Sequence, residues 1–165
     1  MSFVVLVPLR GGSKSIPKKN IKFIGGKALH ALSISAALES KIFDDVYVST
    51  DCPEIKASVE DCFGGQVKIL DRPAELASDE ASTESVVEHF LKSNDQVENL
   101  AIVQATNPFV LAKDFKDASA IFSSDGCDSL VSVVPSKRFF WDHAGKPLNY
   151  DPANRPRRQD FPGAY

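Results

Sequence analysis

Residues 4–20, VVLVPLRGGSKSIPKKN, run an apolar stretch straight into a loop of glycine and positive charge. Val4, Val5, Leu6 and Val7 form a short continuous apolar run, the pattern of a strand buried on both faces of a parallel sheet. Pro8 ends the ladder, because proline has no N–H to donate. Gly11 and Gly12 let the backbone approach a ligand closely with its N–H groups exposed, while Arg10, Lys14, Lys18 and Lys19 crowd positive charge around it. That combination suits a polyphosphate. The segment matches neither G-x-x-x-x-G-K-[ST] nor G-x-G-x-x-G, which disfavours a P-loop ATPase and a dinucleotide dehydrogenase. A solvated basic turn could have the same composition, but position argues against it: a loop leaving the carboxyl end of a first buried strand lies where α/β sheets bind nucleotides.

Outward from this stretch, helix and strand patterns alternate. Residues 28–40 (ALHALSISAALES) have helical composition, with Leu29, Leu32, Ala36 and Ser40 along one side. Residues 46–49 are β-branched and aromatic, hence a strand; a helix then starts with Asp51 or Cys52 near its cap and Pro53 in its first turn, and Gly64-Gly65 ends it. A strand at 67–70, a polar loop to Ala81 and a helix from Thr83 to Leu91 follow, the helix burying Val86, Val87, Phe90 and Leu91. Residues 100–103 read as a buried strand, 113–122 as an amphipathic helix and 130–134 as a last strand. The alternation predicts an α/β fold of three layers, a doubly wound, mostly parallel sheet with helices on both faces. Beyond Phe139 turn chemistry takes over, and Asp142 to Gly145 can close a hairpin between 139–141 and 147–150. No linker interrupts the pattern, so one domain over 1–165 is expected.

Composition narrows the function. The 43% hydrophobic content, with only 9 Gly and 10 Pro, argues for a packed core rather than disorder. A formal net charge of -3 speaks against an electrostatically driven nucleic-acid binder, whose domains are usually strongly basic. No apolar run reaches the length of a membrane span, and MSFVVLVPLR has no signal-peptide organisation, so no membrane partner and a cytoplasmic location are expected, nuclear if the source is an animal. Cys52, Cys62 and Cys127 are widely spaced and read as buried thiols rather than a disulfide framework or zinc ribbon. His30, His89 and His143 form no metal-ligand spacing and read as structural.

The loop L-R-G-G-S-K-x-I-P-x-K-N resembles the first motif of the sugar-activating cytidylyltransferases. Four further segments extend the resemblance through nearly all of the chain: VYVSTD at 46–51, RPAELASDEAST at 72–83, QATNP at 104–108 and RPRRQD at 155–160. Together and in this order they are similar to the N-acylneuraminate cytidylyltransferase (CMP-sialic acid synthetase) family. The resemblance implies a single Rossmann-like domain of the nucleotide-diphospho-sugar transferase type, with 139–165 forming a hairpin and basic loop on the sugar side. It implies attack of a sugar anomeric hydroxyl on the α-phosphate of CTP, giving a CMP-sugar and pyrophosphate. Activators of legionaminate, pseudaminate or Kdo begin with similar loops, and an inactive nucleotide-binding module is the alternative of another class. The family pattern continues past Tyr165, so the chain reads as C-terminally truncated. The implied Mg²⁺ is held in the family by a later Asp-x-Asp pair with no equivalent here, so no metal ligand is assigned. A homodimer is expected of the full-length protein.

Residue by residue, the resemblance assigns phosphate charge to Arg10, Lys14 and Lys19, with Gly12 and Ser13 supplying the close backbone approach. Lys18 and Lys22 more often only face water in such loops. Asn20 matches a nucleotide-contacting asparagine, and Arg72, Ser82 and Thr83 contribute to the cytosine pocket, although Ser82 or Thr83 could equally cap the following helix. Gln104 matches a contact to sugar or ribose hydroxyls; Asn107 and Phe109 in QATNPF depart from the commoner QPTSPLR. Arg157 matches the arginine that grips the sugar carboxylate, a task suited to a planar guanidinium, and with Arg10 and Lys19 completes the catalytic set. Its neighbours Arg155 and Arg158 are expected to pair with Asp151 or Asp160 or to reach a neighbouring subunit. No residue reads as a general base; Asp51 and Asp79 merely lie near the right strand ends.

Overall fold

Side chains alternate across a strand, so a buried VVLV run must feed two cores, and it does. In the computed structural model, which describes residues 2–124 and 126–164, β1 (Val4–Pro8) sends Val5 and Val7 into one cluster and Val4 and Leu6 into another. The first cluster joins Ile34 of α1 (Leu29–Ser40), Ile55 and Val59 of α2 (Pro53–Phe63) and Phe115 of α4 (Ala112–Ser124). The second is completed by Phe90 of α3 (Thr83–Ser93), with Tyr47 edge-on to its ring. Helices therefore cover both faces of the sheet, unequally: α1, α2 and α4 on one, α3 on the other.

The main sheet has four strands in the order β5-β4-β1-β6, where β4 is Asp45–Thr50, β5 Lys68–Asp71 and β6 Leu100–Ile102. Every pairing is parallel, with Val5 opposite Val46 and Ala101. The chain moves outward on one side of β1 and returns to its other side with β6, so the switch in direction falls between β1 and β6. α1 carries buried residues on more sides than the expected single stripe, including His30, Ser33 and Ile34, because it packs against both α2 and α4. α2 has Cys52 at its N-cap position without a side-chain capping bond, starts with Pro53 and stops at Gly64, whose φ of 54° suits glycine. One element was not foreseen: β2 (Phe23–Ile24) and β3 (Lys27–Ala28) form a small antiparallel hairpin. Gly25 and Gly26, at φ 58° and 84°, supply the two positive angles that such a tight turn demands.

Contacts divide the chain into two compact units, Met1–Cys127 and Asp128–Tyr165. In the second unit the strand expected at 130–134 is not formed. Val131 and Val134 are 76% and 81% exposed, and an apolar run becomes a strand only where a neighbouring ladder takes up its N–H and C=O groups. The expected hairpin is present in reduced form, as a bridge between Trp141 and Pro147 with Leu148 N–H donating to Phe140 O at 2.9 Å. Phe139 packs on Tyr150 and on the buried Phe161, giving this unit a small aromatic core. Ser136 and Ala164 bridge at its end, where a Cβ on Gly163 would come within 2.9 Å of Ser136 O.

Candidate active site

Because the four strands run the same way, the segments that leave them gather at one edge of the sheet. Arg10 follows β1, Asp51 follows β4, Arg72 follows β5 and Gln104 lies beyond β6. Between them opens a cleft of about 320 Å³ whose lining includes Arg10, Gly12, Ser13, Lys19, Asn20, Arg72, Ser82, Thr83 and Gln104. Residues singled out in three separated sequence segments, 4–20, 72–83 and 104–108, thus meet around one space. Lys14 stands beside it and reaches in through Asp79, which lines the cleft.

The basic loop is held from several sides. Gly11 N–H donates to Asp51 Oδ1 at 2.9 Å, and a Cβ on Gly11 would lie 2.8 Å from the Cβ of Cys52. Glycine at position 11 is therefore demanded by close packing, whereas Gly12 faces open space. Asn20 is 9% exposed and its Nδ2 donates to the carbonyl of Arg10 at 3.0 Å, so it shapes the loop from beneath. Lys18 adopts a left-handed φ of 52° and pairs with Glu54 at 2.7 Å. The Cys52 thiol donates to the other Glu54 oxygen at 3.0 Å, and this bond, followed by that from Lys18, holds the Glu54 carboxyl down to about 2. Lys18 is thus a fastening of the loop rather than a free charge. Burial pushes the Cys52 thiol up, which suits an inert packing group, but the expectation of three buried thiols fails: Cys52 and Cys127 are half-buried and Cys62 is exposed.

On the facing wall Arg72 is 8% exposed, with Nε donating to Ser49 Oγ at 3.0 Å and Nη2 to Ser49 O at 2.7 Å. Burial lowers its pKa, the Asp51 carboxylate counters that, and the charge of Arg10 lowers it further. Two strand ends thus present two guanidiniums to the same cleft. Arg10 Nη1 donates to Ser78 O at 3.2 Å and lies 3.1 Å from Asp79, while Lys14 Nζ sits 2.7 Å from the second Asp79 oxygen. Ser82, not Thr83, is the helix cap: its Oγ accepts from Ser85 N at 3.1 Å. It fixes the loop that carries Asp79 while lining the cleft.

Arg157 belongs to the second unit. There a separate hollow of about 720 Å³ is lined by Lys137, Arg138, Phe139, Arg155, Pro156, Arg157 and Arg158. The ion pairs differ from expectation: Arg157 itself pairs with Asp160 at 2.7 Å, while Arg155 stacks over the Phe139 ring at 4.8 Å. The planar guanidinium can satisfy a carboxylate or lie on an aromatic face, and the adjacent Phe139 selects the second for Arg155.

Reading residue types missed three partners. Asp51, expected near a helix cap and near the right strand end, is the acceptor that seats Gly11. Ser49, within the β4 strand, anchors Arg72. Asp79 counters two loop cations from a segment far away in sequence, and no local pattern announces such a contact.

Among the described residues no helix is long and apolar enough to cross a membrane. A family model described as cytidylyltransferase matches residues 4–145. The chain is similar to N-acylneuraminate cytidylyltransferase from Oncorhynchus mykiss, at 39% identity over 96% of this chain and 38% of the relative. It is also similar to the Escherichia coli O18:K1:H7 protein of the same name, at 38% identity over 82% of this chain and 32% of that protein. It therefore spans well under half the length of these curated relatives. The fold is shared with a CMP:2-keto-3-deoxy-manno-octonic acid synthetase complexed with CTP, at TM-score 0.61 and 24% identity over 77% of this chain and 49% of that one. It is shared too with a 4-diphosphocytidyl-2C-methyl-D-erythritol synthase from Anaerococcus prevotii, at TM-score 0.60 and 13% identity over 96% and 65%.

Proposed function

The chain belongs to the cytidylyltransferase family, and from that premise we propose that it activates an N-acylneuraminate, an acidic nine-carbon sugar, with CTP to give the CMP-sugar and pyrophosphate. The observation that carries the proposal is the convergence of Arg10, Lys19, Asn20 and Arg72 on one cleft at the carboxyl edge of a parallel sheet. The relatives' shared name supports the choice of sugar.

On this reading the triphosphate lies against the basic loop. Transfer at phosphorus asks for positioning and charge stabilisation rather than a covalent intermediate, since negative charge builds on the phosphates as the sugar hydroxyl attacks in line. Arg10 and Lys19 offset that charge, and the N–H groups near Gly12 and Ser13 add donors with no side chain in the way. Arg72 is held rigid by Ser49 and presents its remaining surface to the cleft. Ser82, Thr83 and Gln104 offer short polar contacts to base and sugar hydroxyls. Arg157 supplies the fork for the sugar carboxylate once its partner Asp160 releases it.

Magnesium supplies further charge neutralisation to such a triphosphate. The described residues bring together no group of three or more His, Cys, Asp or Glu able to hold a metal, and the carboxylates beside the cleft are engaged elsewhere. The residues here do not by themselves compose its site, and no step is derived through it. The resemblance further supports a cytoplasmic setting and a homodimer for the complete protein.

The test is pyrophosphate release from CTP across a panel of acidic sugars, run beside calorimetric titration of CTP. Turnover fastest with an N-acylneuraminate supports the reading. Preference for Kdo, legionaminate or pseudaminate moves the substrate within the family, and CTP binding without turnover leaves a nucleotide-binding module.

A further inference from the structure

The cleft already contains an anion. Asp79 places one oxygen 3.1 Å from Arg10 and the other 2.7 Å from Lys14, spanning the two loop cations as a bridging phosphate would. We propose that Asp79 is a resident counter-anion of the nucleotide seat, neutralising Arg10 and Lys14 while the seat is empty and leaving them when a polyphosphate arrives. The inference rests on the nucleotide reading of the cleft and adds to it a residue that sets affinity and anion preference.

Three observations carry it. First, the segment bearing Asp79 is braced rather than loose. Ser78 Oγ donates to Glu75 O at 3.1 Å and accepts from Ala81 N at 3.2 Å, and Ser82 caps α3. The carboxylate therefore sits over the cations because the backbone puts it there.

Second, Asp51 and Asp79 are bound differently. Asp51 accepts a backbone N–H of the basic loop, so removing it would disturb the loop. Among the described residues the partners of Asp79 are the two side-chain cations, so a rotation of its side chain breaks both ion pairs, while Arg10 keeps its bond to Ser78 O. The carboxyl is held below its usual range, first by the hydrogen bond from Lys14, so it stays charged and competitive at neutral pH.

Third, the seat needs a counter-charge. Arg10 and the buried Arg72 both line the cleft, close enough for the charge of Arg10 to lower the Arg72 pKa against the counter-effect of Asp51, and without Asp79 neither Arg10 nor Lys14 would have a carboxylate partner. Half-exposed ion pairs are individually weak, so a triphosphate with several charges outcompetes one carboxylate. A singly or doubly charged anion gains less from displacing it. Asp79 thereby filters small anions from the site.

The test titrates wild type, Asp79→Asn, Asp79→Glu and Glu80→Gln with CTP, inorganic tripolyphosphate and orthophosphate by calorimetry, with thermal midpoints recorded alongside. Asp79→Asn is expected to bind tripolyphosphate and CTP about three- to tenfold more tightly, and to gain relatively more for orthophosphate. Asp79→Glu, which keeps the charge, should remain nearer wild type. Glu80→Gln makes the same change in net charge one residue away and should alter affinity little. Unchanged or weaker binding in Asp79→Asn overturns the proposal, as do equal gains in Asp79→Asn and Glu80→Gln, which would indicate only long-range charge. If tripolyphosphate binds and tightens in Asp79→Asn while CTP binds no better than tripolyphosphate, the counter-anion stands and the nucleotide reading falls. If no polyphosphate binds either protein, both fall.

Discussion

Two arginine-bearing regions of this protein are built in opposite ways. In the first unit Arg72 is anchored on a buried strand, and the loop bearing Arg10 is seated by Asp51 and Asn20, so the sheet dictates where these charges stand. In the second unit Arg157 is 75% exposed, and its surroundings are an aromatic cluster, isolated bridges and one ion pair. Charge on a strand end is preorganised for a ligand. Charge on a side-chain cluster is placed only as well as its local partners place it, and ligand binding must reorganise them.

The largest expected effect tests the preorganised region. Arg10→Ala should lower kcat/KM by two to three orders of magnitude, the usual cost of removing a donor aimed at developing charge, while leaving the thermal midpoint nearly unchanged. Activity lost only in proportion to folded protein would erase the contrast.

The frame of that region should also respond to pH. His30 joins α1 to α2, its Nε2 2.9 Å from Ser58 Oγ, and burial lowers its pKa from 6.5 to about 4. The unfolded chain takes up the proton near 6.5 and the folded chain only near 4, so the unfolded state binds more protons between these values. The stability contributed by the neutral ring is thus complete above pH 7 and is lost as pH falls through 6.5 towards 4. The loss is about 3 kcal/mol at most. Denaturant unfolding at stepped pH in wild type and His30→Gln checks this: the slope should be present in the first and reduced in the second.

In the exposed region, Arg157→Lys should cost about 2 kcal/mol in use of the acidic sugar, since lysine keeps the charge and loses the fork. Arg158→Lys should matter less, and CTP binding should hold in both. Equal small effects would move the carboxylate contact elsewhere; a raised KM for CTP alone would make Arg157 a phosphate ligand and align it with the first region. The smallest change is Gly11→Ala. The new methyl meets Cys52 Cβ at 2.8 Å, so a destabilisation of about 1–2 kcal/mol is expected from the forced shift, and Gly12→Ala should be milder on stability. A reversal of that order in thermal melts would place the close approach at Gly12.

Where secondary structure follows from local pattern plus burial, the sequence was legible. The VVLV run, the Pro53 helix start and the Ser82 cap are encoded within a few residues, and all sit where expected. The strand at 130–134 failed because strand character is completed by a neighbour, and its apolar residues have none. The β2–β3 hairpin did carry a signal, the Gly25-Gly26 pair, whose two positive φ angles a tight turn needs. At the site, residue type and strand-end position pointed to the basic loop, and the family resemblance supplied Asn20, Arg72, Ser82, Thr83 and Gln104, which line the same cleft. They could not show which groups hold the others, because Asp51 to Gly11, Ser49 to Arg72 and Asp79 to Arg10 are contacts made by the fold.

The central place of β1 bears on how the protein is made. Its ladder partners are β4 and β6, with Val4 paired to Asp45 on one side and to Leu100 on the other. β1 is therefore completed only after residue 100 has been added, on the order of 5–20 s later at ordinary translation speed. Throughout that interval the most apolar segment of the nascent chain has an open hydrogen-bonding edge, so newborn chains should be at greatest risk of mispairing before β6 emerges, and slower synthesis over β5 and α3 should prolong it.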